Sequence, residues 1–181
     1  MTSPLPPMPT GQVPVGTVIS YAGVDPEQWE SNYWLLCDGK PYDSTSNAYS
    51  NLFKAIGNQY GSSGDMFNVP DLRGMFLRGV GVGTLNDPDI ADRYRQGDTT
   101  KTPIPVTDEL VGSVQDDQFG SHAHSLGSEN GYKSGGEYPV YLQGTQSANA
   151  TGSSGGDETR PKNVYVYFLI FAGPPVGETR S

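Results

Sequence analysis

The chain is poor in cysteine, and it has no apolar run long enough for a membrane helix. Cys37 is the single cysteine among 181 residues, so no disulfide can form within one chain and we expect a buried, inert thiol there. The N-terminal "MTSPLPPMPTGQ" lacks the basic and apolar regions of a secretory signal. The longest apolar stretch, "VYVYFLIFAG", is too short to span a bilayer as a helix, so we expect no membrane insertion.

Positive charge is also scarce. Lysine and arginine number 11 against 20 aspartates and glutamates, which gives a net charge of −9. Nucleic-acid binding needs a basic face for phosphate contacts, and anionic membrane surfaces select for basic segments. The charge balance therefore argues against both kinds of partner.

Glycine, proline and tyrosine are plentiful, whereas hydrophobic residues make up only 34% of the chain. With 24 glycines and 15 prolines, long helices are disfavoured and turns, short strands and aromatic packing are favoured. So few apolar residues also suggest that partners complete the burial. We therefore predict an α+β, β-rich fold.

Residue patterns place several elements along the chain. The stretches "VGTVISYAG" and "NYWLLCDGKPY" predict strands, the second ended by an Asp-Gly turn. Tyr49, Leu52, Phe53 and Ile56 recur at helical spacing and predict one short helix, which Gly57 can close.

Two further strands are predicted later in the chain. In "MFNVPDLRGMFLRGVG", the alternation predicts a strand with Met75 and Leu77 on one face and Phe76 and Arg78 on the other. The near-continuous apolarity of "NVYVYFLIFAG" predicts a strand buried on both faces. Between these two strands, the polar residues 81–118 predict loop with short strands.

Four motifs in order, "PVGTVISYAG", "WLLCDGKPYD", "YSNLFKAIGNQYG" and "DMFNVPDLRGMFLRGVG", resemble the phage tail-collar family. The resemblance runs roughly from Val13 to Ala172 and is strongest from Trp34 to Gly83. The strings "NDPD", "VGSVQDDQFGSHAHS" and "TRPKNVYVYFLIFAG" are similar to the usual continuation. Members of this family occur in tail fibres, collars and adhesion tips, where they assemble as intertwined trimers.

The resemblance implies a homotrimer with four regions along each chain. The Pro-rich residues 1–14 are expected to form either an arm that attaches to other tail or virion proteins or a disordered tail. Residues 15–83 form a small collar-like domain with one short helix. Residues 84–173 form an interwoven, loop-rich β region that binds metal and faces the receptor. Residues 174–181 form a C-terminal tail.

Both histidines of the chain, His122 and His124, lie in "GSHAHSLGS". In an extended segment, residues two apart point to the same face, but two imidazoles are a poor metal site because zinc usually takes four ligands. Several family members bind metal through His-x-His on the three-fold axis, where three chains with two histidines each supply six nitrogens. That shell fits an octahedral transition metal, and the resemblance favours iron or zinc. Solvent-exposed histidines in a polar loop are the alternative.

Other clusters favour structural interpretations. The spacing of four glycines fits neither G-x-x-x-x-G-K-S/T nor G-x-G-x-x-G, the two phosphate-binding loop patterns. We expect these glycines to allow close approach of neighbouring chains, and they are Gly74, Gly79, Gly81 and Gly83. Arg73 and Arg78 are expected to pair with acids such as Asp71 or with backbone carbonyls.

Three acids lie close together, at Asp87, Asp89 and Asp92. We expect them to form turns, because Asp-Pro and Asn-Asp initiate turns. A calcium loop is the alternative, although the glutamate that such a loop has at its twelfth position is missing. Asp116 and Asp117 are expected to solvate their loop rather than to bind metal. Ser121 and Ser125 flank the histidines without the strand-to-helix elbow of a hydrolase. We therefore expect no enzyme.

A tyrosine-rich stretch, "YKSGGEYPVY", includes Tyr132, Tyr138 and Tyr141. These rings fit either stacking on a host-surface glycan or packing between subunits. The resemblance implies a structural and adhesion protein of a phage or phage-like contractile tail, made in the bacterial cytoplasm and acting extracellularly in the virion. Two alternatives remain, a collar or plug protein that contacts only virion proteins and a polysaccharide-degrading tail protein.

Overall fold

The computed structural model describes residues 13–106, 110–118 and 159–177. The chain divides into two units, Met1–Gln115 with Asn163–Ser181 and Asp116–Lys162, and every element named below belongs to the first. The described residues form short strands, one α-helix and two short 3-10 helices, so the β-rich prediction is confirmed.

The strands are β1 (Val18–Tyr21), β2 (Trp34–Leu36), β3 (Pro41–Asp43), β4 (Ser62–Ser63), β5 (Met66–Asn68), β6 (Tyr94–Arg95), β7 (Ser113–Val114) and β8 (Tyr167–Phe171). The helices are α1 (Ser50–Ile56) and the 3-10 helices Glu27–Asn32 and Ile90–Asp92.

The main sheet has the order β1-β8-β2, with both pairings antiparallel. Ile170 of β8 lies opposite Val18 on one side and opposite Leu35 on the other. Leu169 and Ile170 are each 1% exposed, and as sequence neighbours they point to opposite faces. The predicted burial of this strand on both faces is therefore confirmed for its second half.

The second sheet has the order β3-β5-β4 and lies beside α1. The helix begins at Ser50 and ends at Ile56, where the N–H of Gly57 donates to the carbonyl of Phe53 at 2.7 Å. Gly57 has a φ of 55°, a backbone conformation that glycine adopts without strain. The predicted helix and its glycine stop are confirmed.

One core joins both sheets and the helix. Its buried members come from two distant parts of the chain, and they are Leu35, Cys37, Leu52, Phe67, Val69, Ile170 and Ala172. The buried residues between 35 and 69 thus share one core with Ile170 and Ala172, which come from β8 and the residue after it. The main sheet therefore takes strands from both of the regions predicted as 15–83 and 84–173, whose limits stay a prediction.

The prediction of a strand from Met75 to Arg78 is wrong for the single chain that the structure describes. The segment after β5 turns at Leu72, where the Met75 N–H donates to the Leu72 carbonyl at 3.2 Å, and then continues without regular structure. A strand requires a partner for its backbone hydrogen bonds, and no described residue supplies one to Phe76–Val80. The expectation of loop with short strands is confirmed by β6 at Tyr94–Arg95 and β7 at Ser113–Val114, whereas the 3-10 helix Ile90–Asp92 was not predicted.

Candidate assembly surface and site residues

The predicted metal and receptor residues lie outside the described part of the chain. They are His122, His124, Tyr132, Tyr138 and Tyr141. Within residues 13–106, 110–118 and 159–177, no group of three or more His, Cys, Asp or Glu side chains is placed to hold a metal ion. The described residues instead define an apolar surface.

This surface is the segment 75–85, which follows the "PDLRG" turn in the sequence and exposes large apolar side chains. Phe76 is 59% exposed, Leu77 58%, Val80 60% and Val82 50%. Single exposed apolar residues are ordinary on a protein surface, whereas several in one short stretch mark an interaction site. We call it the apolar segment.

Before the apolar segment, Asp71 is held on two sides. Its backbone N–H donates to Gln96 Oε1 at 2.9 Å, and Gln96 Nε2 donates to the Asp71 carbonyl at 2.6 Å. Its carboxylate accepts from Arg73 Nε at 2.8 Å and from Arg73 Nη2 at 2.6 Å, and this pairing lowers the pKa of Asp71. The predicted Arg73–Asp71 pair is therefore confirmed, and Gln96 ties the turn to the end of β6.

After Arg78, the apolar segment is held by Asp87, whose side chain is 4% exposed. Arg78 Nη2 lies 3.1 Å from Asp87 Oδ1 and donates to the Asn86 carbonyl at 2.5 Å. The contact with Oδ1 is electrostatic, because that oxygen accepts no hydrogen bond. The prediction that Arg78 pairs with an acid or a carbonyl is confirmed for both groups.

Arg93 connects Asp87 to the β6–β7 pair. Its Nη1 lies 3.7 Å from Asp87 Oδ2, and its Nε and Nη2 donate to the hydroxyl and carbonyl of Ser113 at 2.8 and 3.0 Å. A buried carboxylate requires such partners, since an unpaired buried charge is strongly destabilising. The apolar segment is therefore fixed near both ends while its middle remains exposed.

The sequence interpretation did not find the role of Asp87. The sequence pattern placed it in a turn with Asp89 and Asp92, and Asp89 does precede the 3-10 helix Ile90–Asp92. No spacing in the sequence links Asp87 to Arg93, so tertiary structure alone makes this contact. Because Asp87 faces two arginines, the calcium alternative is not supported by its surroundings.

One glycine in the segment is required by a contact within the chain. A Cβ on Gly81 would lie 2.7 Å from Asp87 Cβ, whereas a Cβ on Gly79 or Gly83 would meet nothing within 4 Å. The predicted close approach thus occurs at Gly81, but to a side chain of the same chain. The open space beside Gly79 and Gly83 is compatible with another chain.

The thiol of Cys37 is 2% exposed and unpaired, as the sequence predicted. Burial, followed by the nearby carboxylates of Asp38 and Asp71, raises the pKa of Cys37 to about 12. The thiolate is the reactive form of cysteine. The folded protein therefore keeps this thiol protonated and inert.

We expect alkali to destabilise the fold through Cys37. Unfolded chains lose the thiol proton near pH 9, whereas the folded chain keeps it to about pH 12. Because the unfolded state then binds fewer protons, the free energy of unfolding should fall over this window by about 1.4 kcal/mol per pH unit. Denaturant titrations at pH 8, 9.5 and 11 measure this slope. The matched variant Cys37→Ala should lack that contribution, and an identical slope in both proteins would contradict it.

The core joins two small sheets and one short helix. Residues 16–77 match the family model of the phage tail collar domain. The resemblance found in the sequence is confirmed there. The core needs β8 as well, which lies outside the matched residues.

Two curated relatives extend the similarity. The chain is 36% identical over 151 residues to protein RhiB of Rhizobium leguminosarum bv. viciae, which covers 78% of this chain and 64% of RhiB. It is 30% identical over 117 residues to the short tail fiber protein gp12 of Enterobacteria phage T4, covering 64% of this chain and 21% of gp12. The chain thus spans less than two thirds of either relative.

No helix in the described part of the chain could span a bilayer.

Proposed function

We propose that this chain is a structural component of a phage or phage-like contractile tail, in a tail fibre or a collar. The single observation that supports this most strongly is the phage tail collar domain at residues 16–77, and the similarity to a short tail fiber protein agrees with it. In this proposal the protein works without catalysis, by holding a stiff assembly and presenting loops to a host-surface glycan.

The proposed assembly is a homotrimer. The apolar segment supports it, because several large apolar side chains on one stretch are costly to leave in water. A chain of 19.4 kDa should therefore sediment at about three times that mass. A monodisperse monomer at micromolar concentration would contradict this proposal.

The proposed metal site joins His122 and His124 of three chains. Elemental analysis of the purified trimer should find about one iron or zinc ion per three chains. The double variant His122→Ala, His124→Ala should lose this ion and melt at a lower temperature, because metal bound only to the folded assembly stabilises it.

The flanking variant Ser121→Ala, Ser125→Ala is the matched control and should keep both metal and melting temperature. A stable trimer without metal, or stoichiometric metal in a monomer, would refute the proposed site.

The proposed receptor contacts are Tyr132, Tyr138 and Tyr141, with residues 1–14 attaching the protein to other virion proteins. Binding of the purified trimer to host cells would favour adhesion over a collar or plug that contacts only virion proteins. Release of reducing sugar from host polysaccharide would instead favour the degrading alternative.

A further inference from the structure

The middle of the apolar segment has no regular structure and no backbone partner among the described residues. From Phe76 to Val80, no backbone N–H or carbonyl bonds to another backbone group of the described chain. All five residues are exposed. As a strand, such a piece would offer its backbone groups to a strand of another chain.

A second segment with the same properties leads into β8. Val164 is 82% exposed, Tyr165 94% and Val166 36%, and their backbones also find no backbone partner among the described residues. They are β-branched or aromatic residues, which favour strands. The central strand of the main sheet therefore extends, on its N-terminal side, into an unpaired apolar stretch.

We propose that residues 76–80 of one copy pair as a β-strand with residues 164–166 of a neighbouring copy. The inference rests on the proposed homotrimer and names the surfaces that meet in it. Both segments are mostly apolar and find no backbone partner among the described residues, and among their residues only Arg78 is charged, so the pairing brings no like charges together. A strand added to an open edge satisfies backbone groups and covers apolar side chains at once.

Each of the two segments is also held by contacts within its own chain. The apolar segment is fixed near its ends by Gln96 at Asp71 and by Arg93 at Asp87. Residues 164–166 continue β8, which β1 and β2 hold in register. Within the described fold these two segments form no strand pair.

The pairing also explains why the sequence predicts a strand that the single chain lacks. The alternation from Met75 to Arg78 is suited to a ladder whose second strand belongs to another copy. Contact between two different surfaces is head-to-tail, so it closes as a ring when the rotation between copies allows. Three copies joined in this way would each use both segments once.

Disulfide trapping of the full chain tests the inference. Three double variants each combine Tyr165→Cys with one further substitution, which is Phe76→Cys, Leu77→Cys or Arg78→Cys. Each double variant is oxidised with copper phenanthroline. Opposed residues in a strand pair have Cα atoms about 4.5–5.5 Å apart, within disulfide reach. Cys37 should not compete, because its thiol is buried.

At least one double variant should form covalent trimers on a denaturing gel. The single variants, and the control Leu77→Cys with Ser63→Cys on the exposed strand β4, should stay monomeric on that gel. A disulfide within one chain, linkage by Leu77→Cys alone, or no linkage in any double variant that sediments as a trimer would overturn the inference. Absence of the trimer itself would overturn the proposed assembly as well, so the two failures are distinguishable.

Discussion

Phe67→Ala should lower the free energy of unfolding by about 4 kcal/mol, because it removes a fully buried ring from the centre of the core. Phe67 is 0% exposed, and its ring lies 5.3 Å from the Phe53 ring and 6.5 Å from the Tyr42 ring. It also lies in β5, the central strand of the second sheet. The cavity would therefore open between that sheet and α1.

This loss is large beside the roughly 5–15 kcal/mol that stabilises a typical domain. It corresponds to a melting temperature lower by roughly 15 °C. Calorimetry and denaturant titration of the purified chain measure both quantities.

Phe76→Ala is the matched control, since it makes the same substitution at a ring that is 59% exposed. Within a single chain it should change the free energy of unfolding by less than about 0.5 kcal/mol. It should instead weaken assembly, because it removes apolar area from the apolar segment. Equal effects of the two substitutions on the unfolding of a monomer would show that the core is not where the structure places it.

Asp87→Ala should lower the free energy of unfolding by about 2 kcal/mol, because it leaves the Arg93 guanidinium, 14% exposed, without its carboxylate partner. The value is below that of a fully buried pair because Arg78 is 46% exposed and water can replace the lost contact. Trypsin should also cleave faster after Arg78, since the apolar segment loses its second attachment. Limited proteolysis with mass detection measures this rate.

Asp89→Ala is the control for Asp87→Ala, because Asp89 is an exposed aspartate only two residues away. It should leave stability within about 0.5 kcal/mol of the parent. Similar losses for both variants would indicate that general charge, rather than the contacts of Asp87 with Arg78 and Arg93, determines the stability of this region.

Local patterns determined much of the collar domain. The apolar spacing over residues 49–56 located α1, and Gly57 marked its end. Both signals could be found in the sequence because helix periodicity and a glycine at the C-terminus of a helix depend on residues close in sequence. The motif series identified the family without any structure. The buried, inert state of Cys37 also followed from its apolar neighbours.

Contacts between distant residues were decided only by tertiary structure. Ile170 lies between Val18 and Leu35, and Asp87 lies between Arg78 and Arg93. Sequence alternation showed that residues 75–78 favour an extended strand, but it could not show that the described part of the chain offers them no backbone partner. A propensity belongs to a segment, whereas pairing and burial depend on what the rest of the chain, or another chain, places beside it.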